Sequence, residues 1–151
     1  ARKLLADVEE YWLSRAVGRP FDAGPMDSLA AIYASRAYGQ DYKKAQIAID
    51  EARLREPMSH RFDASEALYF FKLGDWERAW RDYRRALERG AGKLESVTDY
   101  YRAGLSACRA GATEAGESLL RQALWRDPLH GLAAQARELT NEKSIEVAGT
   151  R

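Results

Sequence analysis

A single cysteine, Cys108, stands among 151 residues. No internal disulfide framework can form from it, and it decides nothing about an oxidising or reducing compartment. Long apolar runs are missing too: no stretch of about eighteen apolar residues occurs, so nothing here spans a bilayer as a helix. An excess of either charge is also absent, since 24 Lys+Arg face 23 Asp+Glu for a net charge of +1. No global field therefore draws the chain to nucleic acid or an anionic membrane, and partner choice must be local. Histidine is scarce: His60 and His130 fall at boundaries far apart in the chain order, and no shared metal is expected of them. No Gly-rich phosphate loop or Walker pattern appears. No nucleophile, base or metal cluster converges, so neither an enzyme nor a cofactor is expected. The first residue is Ala1 rather than methionine, which reads as a processed chain or an excised piece of a longer one.

What the chain does have is a repeat. Centred on 74–87, three marks follow one another as small, large and small: Ala79, Tyr83 and Ala86. The same spacing returns at Ala45, Ile49 and Ala52 and again at Gly116, Leu120 and Ala123. A small residue is needed where two helices cross closely, and a large one fills the gap beside the crossing.

This period and content resemble the tetratricopeptide repeat (TPR) family, a helix-turn-helix unit that stacks into a solenoid. The second copy carries Asp63, Glu66, Ala67 and Phe70 where the family prefers an aromatic, a leucine, a small residue and a tyrosine. The third carries Tyr100, Ala103, Gly104 and Ala107, with Gly111 at the turn and Pro128 at its end. The first carries Leu29, Ile32, Tyr33 and Arg36, closed by Pro57, with a bulky Tyr33 where a small residue is usual. The resemblance implies an all-α TPR-type helical solenoid of antiparallel pairs in a right-handed superhelix, with units at 26–59, 60–93 and 97–130.

Residues 1–25 read as an amphipathic helix and a connecting loop. Leu4, Leu5, Val8, Trp12 and Ala16 share one stripe, and two glycines and two prolines at 18–25 stop the helix. This helix is either the back half of a preceding repeat or a cap over the first pair. The first pair runs from Met26 to about Tyr38 and from Asp41 to Arg55, with a turn at Gly39 and Gln40. The second runs from Ser59 to Leu73 and from Asp75 to Arg89. The third starts at Leu94 or Glu95, reaches Ala110, and continues from Thr113 to Arg126. Asp41 and Asp75 are placed to accept backbone N–H bonds at helix starts. Residues 131–151 hold a capping helix marked by Leu132, Ala136 and Leu139, then a tail. Residues 144–149 alternate polar and apolar, as a frayed end or as the first strand of a following β domain. The second option resembles bacterial outer-membrane exopolysaccharide exporters, in which periplasmic TPRs lead into a β-barrel. It implies a periplasmic portion that recruits a modifying enzyme or guides polymer, with cytoplasm as the alternative location.

On 76–89, Arg78, Arg81, Arg84, Arg85 and Arg89 interleave with Trp76, Trp80 and Tyr83. Such a mixture can grip single-stranded nucleic acid by stacking and phosphate contacts. The aromatics share a face with Ala79 and Ala86, however, while the arginines share one with Glu77, Asp82 and Glu88. Packing and a solvated ion-laced face account for both, and nucleic acid is the disfavoured partner. Cys108 reads as a small core or groove residue.

The TPR resemblance implies a concave surface lined by the first helix of each pair. Its lining comprises Asp27, Ala30, Ala34 and Tyr38, then Arg61, Ala64, Leu68, Phe71 and Lys72, then Tyr101, Leu105, Cys108 and Arg109. Ala30 and Ala34 stand where some TPR domains hold a peptide carboxylate with lysine and asparagine, so that clamp is not expected. A floor of alanine with aromatic walls suits an amphipathic helix or an extended apolar segment of a protein or peptide partner. Leu68 and Phe71 are expected to face Tyr101 and Leu105, with Arg61 and Arg109 at the margins. Whether residues 1–17 cover this groove stays open. The readings are a non-catalytic interaction scaffold, a polysaccharide-export portion, and a nucleic-acid binder.

Overall fold

The computed structural model describes residues 2–35, 39–59 and 61–140, with the side chains of Arg2 and Arg61 set aside. The fold is all-α, a succession of helices joined by short turns, and no strand occurs among the described residues. The order is α1 (Arg2–Gly18), α2 (Gly24–Tyr33), α3 (Tyr42–Arg55), α4 (Arg61–Leu73), α5 (Trp76–Arg89), α6 (Val97–Arg109) and α7 (Thr113–Arg126). A last helix, α8, covers 133–140. The chain divides into two compact units, 1–73 and 74–151, so α4 and α5 of the expected second pair fall in different units. The tail pattern at 144–149 lies outside the described residues.

In the first unit, α2 starts earlier than the sequence reading placed it. Pro25 sits in its first turn, where a missing N–H costs nothing and the fixed φ is already helical. Its last helical residue is Tyr33, short of the expected end near Tyr38, and 36–38 lie outside the described residues. The Asp41 side chain accepts from Lys44 N at 3.1 Å and starts α3. Between α2 and α3 the small-large-small marks are in place. Ala45, Ile49 and Ala52 are all buried, and Leu29, Ala30, Tyr33 and Ala34 pack with Ala45, Ala48 and Ile49 in one cluster. Full burial of a Leu or Ile contributes about 1.5–3 kcal/mol each, so this cluster holds the pair together.

Helix α1 lies along α2, and Trp12 packs against the same cluster. The α3 side chains Lys44 and Arg55 also reach α1: Lys44 Nζ lies 3.6 Å from Glu9 Oε1, and Arg55 Nη1 donates to Ala16 O at 3.0 Å. Arg55 Nη1 also donates to the carbonyls of Arg19 and Asp22, which satisfies oxygens left open beyond the helix end. α1 therefore packs on α2 as α3 packs on α4, in the manner of a preceding second helix. One member of its expected stripe is out of place: Leu4 is 68% exposed.

The α3–α4 contact explains two departures from the TPR pattern. Asp63 and Glu66 are buried, and Arg53 Nη2 meets them at 3.0 and 2.8 Å. Carboxylates replace the usual apolar side chains because an arginine from the preceding helix is there to neutralise them. Beside them, Phe62 is buried against Ala23 and Ala52.

In the second unit, α5 is capped by Asp75, which accepts from Arg78 N at 3.2 Å, and Ala79, Tyr83 and Ala86 are buried. Burial pushes the Tyr83 hydroxyl far above the ordinary phenol range, with the Asp99 charge adding to it. Asp82, expected on the solvated arginine face, is fully buried and paired with Arg81 Nε at 2.9 Å and Arg85 Nη2 at 3.6 Å. α6 begins at Val97, later than expected, because Ser96 caps it by accepting from Asp99 N at 3.1 Å. It ends in a left-handed Gly111 (φ 88°), with Ala112 N donating back to Ala107 O at 2.8 Å, the closure that spares the penalty a Cβ would carry. α6 is buried nearly all round, and α7 crosses it at Gly116. On α8 the buried residues are Ala133, Ala136 and Thr140, with Leu139 only partly covered.

Candidate partner-binding site

The expected groove residues separate by position. In the first unit, the first helices of two consecutive pairs, α2 and α4, leave a notch lined by Asp27, Ala30, Ala31, Ala34, Ile49, Ser65, Leu68 and Tyr69. Four of these, Asp27, Ala30, Ala34 and Leu68, are residues the sequence reading placed in the groove. Its volume is about 60 Å³. A water takes about 30 Å³ of liquid, so the notch admits a short aliphatic side chain or two waters, not a helix. Nothing from α1 lines it, so the first helix does not fill it.

Polar groups mark both ends of α2 beside this notch. Asp27, in the first turn, accepts a hydrogen bond from Ser65 Oγ at 2.6 Å. Lys72, in the last turn of α4, donates from Nζ to Ala34 O at 3.3 Å, covering a carbonyl at the end of α2. The side wall is aromatic: Tyr69 meets Tyr42 edge-on with centroids 5.4 Å apart. Phe71 is partly buried. Ser65, not the expected Ala64, completes the lining, a rotation of one residue in the assumed register. Its signal was present in the sequence, because Ser65 lies three residues before Leu68 and therefore on the same face.

The other expected members behave differently. Tyr38 lies outside the described residues, as does the side chain of Arg61, whose backbone opens α4. Tyr101 and Leu105 are fully buried, which corrects their placement as open groove lining. Tyr101 donates from its hydroxyl to Asp127 O at 2.6 Å, and its ring stacks on His130 at 4.7 Å. The segment after α7 thus covers Tyr101, and burial raises its ionisation above the usual phenol range. His130 is held at both nitrogens. Nδ1 accepts from Leu132 N at 3.1 Å, so Nε2 carries the proton and donates to Thr98 Oγ1 at 2.9 Å. Arg109 lies over the Trp76 ring at 4.3 Å and donates to Gln135 Oε1 at 3.0 Å. Cys108 is partly buried against Gly116.

No protein-family model matches the sequence, and no curated protein matches it. Among solved structures the chain is similar to the TPR domain of Arabidopsis OM64. The match has a TM-score of 0.63 and 18% identity over 80% of this chain and 95% of that one. At that identity the likeness is one of fold.

Proposed function

We propose that the chain is a non-catalytic protein-interaction scaffold that holds an extended segment of a partner protein across α2 and α4. The observation that carries this reading is the alanine-floored notch, with Leu68 on its wall and Asp27 and Lys72 at opposite ends of α2. A short apolar side chain seats over Ala30, Ala31 and Ala34. A cation on one side of it meets Asp27, and an anion on the other meets Lys72, which fixes the direction of the segment. Phe71 adds apolar area at the margin. The TPR fold supports the same reading, because it presents its first helices as a binding surface. The nucleic-acid alternative is weakened by the occupation of the α5 arginines: Arg78 pairs with Asp75, Arg84 with Glu88, and Arg81 and Arg85 with Asp82. The polysaccharide-export alternative rests on residues 144–149, which lie outside the described ones.

The test uses Ala31, which lines the notch and is exposed. Random peptides displayed on phage are panned on the wild-type chain and on Ala31→Trp, whose indole, too large to enter the notch, covers its mouth. The expected result is a peptide class with a small aliphatic residue between a basic and an acidic one, binding at least tenfold more weakly to Ala31→Trp. Selected peptides that bind both proteins equally would remove the notch from the function.

A further inference from the structure

The turn that joins α7 to α8, residues 127–132, is fastened to α6 through His130, and the fastening works in one protonation state. Nδ1 spends its lone pair on Leu132 N at 3.1 Å, while Nε2–H donates to Thr98 Oγ1 at 2.9 Å. Between these bonds the ring lies nearly parallel to that of Tyr101, at 20° with centroids 4.7 Å apart. Tyr101 is sealed by the same turn, since its hydroxyl donates to Asp127 O at 2.6 Å. His130 and Leu132 are themselves only half-buried, so a proton from solvent reaches the ring. The rest of the turn is held by a long 3.4 Å bond from His130 N to Asp127 O, by Leu129 N on Asp127 Oδ1 at 3.2 Å, and by the exposed Arg137 on Pro128 O at 2.6 Å.

A proton on Nδ1 ends this arrangement. The nitrogen would then point its own N–H at the N–H of Leu132, because an imidazolium keeps two donors and no acceptor. Closed, the turn has no free lone pair at Nδ1. Released, it has one, and a ligand that binds one state better shifts the population toward that state. The surrounding charges leave this balance in place. Asp127 and Arg137 act on the stacked Tyr101 with opposite signs. Arg126, at the end of α7, lies over the Tyr100 ring at 4.3 Å, and Asp99, next to Thr98 on α6, is engaged by Ser96 and Arg102. The Tyr101 face attracts a cation and so works against release, but a backbone N–H stripped of its acceptor and set against a second donor outweighs it. We propose that residues 127–132 are a proton-released cover: neutral His130 keeps them on Tyr101, and its protonation in mildly acidic solution frees them and opens the Tyr101 face of α6. The device lies wholly in the second unit and does not rest on the notch between α2 and α4.

The experiment titrates the full chain by NMR from about pH 7.5 to about pH 5, the span over which histidine commonly changes charge. It follows the carbon-bound ring protons of His130, the contact between the His130 and Tyr101 rings, and the protection of the Leu132 amide relative to intrinsic exchange at each pH. Leu132 protection is expected to fall at least tenfold and the ring contact to vanish, both with the midpoint of the His130 ring, while Leu120 in the core of α7 keeps its protection. His130→Asn sets an amide oxygen where Nδ1 stood and takes up no proton, so its Leu132 protection is expected to stay level. Unchanged protection at Leu132 in the wild-type chain would overturn the proposal. So would the same fall in His130→Asn, or a fall at a midpoint other than that of the His130 ring. An equal loss at Leu120 would overturn it too, since the unit would then be unfolding as a whole. Should His130→Asn be loose at both ends of the span, the coincidence of midpoints in the wild-type chain decides.

Discussion

Gly104 and Gly116 meet backbone to backbone where α6 crosses α7: a Cβ on Gly116 would stand 2.8 Å from Gly104 O and 2.7 Å from Cys108 N. A Cβ on Gly104 would stand 2.7 Å from Leu120 Cγ and meet backbone only at Gly116 O, at a looser 3.0 Å. Gly116→Ala therefore has to push two backbones apart and is expected to cost on the order of 1–3 kcal/mol. Gly104→Ala is expected to cost less. Paired thermal melts check the order, and an equal loss in both would show that the crossing relaxes as easily by backbone as by side chain.

Arg53 meets both the Asp63 and the Glu66 carboxylate, and its own side chain is 31% exposed. Arg53→Met leaves two buried acids without it and is expected to cost about 1–3 kcal/mol, below the figure for a fully buried pair because water already reaches the arginine. Replacing Asp63 and Glu66 by leucine in the same chain is expected to recover that loss, since apolar packing commonly matches a buried ion pair. Denaturant unfolding of the single and triple variants measures both.

The repeat was legible because its physical cause is local to each crossing. Ala45 and Gly116 had to be small, and Ile49 and Leu120 had to be large, whatever surrounded them. Asp41 and Asp75 were legible as caps for the same reason, whereas Ser96, which accepts from Asp99 N, starts α6 at Val97, later than the spacing alone predicts. The groove was legible only in its floor. Helical spacing says which residues share a face, but not what covers it. Tyr101 looks like groove lining until the chain after α7 returns and lays Asp127 and His130 on it. Asp82 failed in the opposite sense: its charge suggested solvent, but two flanking arginines let it be buried.

Asp99 sets a pH dependence. Burial raises its carboxyl above the ordinary range, while the Ser96 hydroxyl and Arg102 pull the other way. A carboxyl harder to ionise in the folded chain binds more protons there than in the unfolded one, so its contribution is fully present below the unfolded value of about 3.9 and is lost as pH rises through the folded one. Asp99→Asn keeps an acceptor for the Ser96 hydroxyl and removes that loss. The variant is expected to be more stable than wild type at pH 7, with the advantage vanishing near pH 3. Unfolding curves at both pH values decide it, and an advantage of the same size at pH 3 would mean that charge is not its cause.

Phe71 and Tyr101, expected from sequence to share one binding strip, are expected to separate in experiment. Tyr101 is fully buried, hydrogen-bonded and stacked. Tyr101→Ala should cost about 3–5 kcal/mol of stability, as emptying a large core site does. Phe71 is only partly buried, and Phe71→Ala should cost about 1–2 kcal/mol, below full burial of such a ring. Against a peptide selected on the notch the order reverses. Phe71 follows Leu68 by three residues on α4, at the margin of the notch, and the apolar area it offers a bound segment is expected to make its loss cost on the order of 1 kcal/mol of affinity. Tyr101→Phe keeps the ring in place, gives up only the bond to Asp127 O, and should leave peptide affinity unchanged. Melts and calorimetric titrations of these variants measure both columns of effects. If Phe71→Ala unfolds the chain while Tyr101→Phe weakens the peptide, the strip belongs to the second unit, and the notch between α2 and α4 is a packing defect of the first.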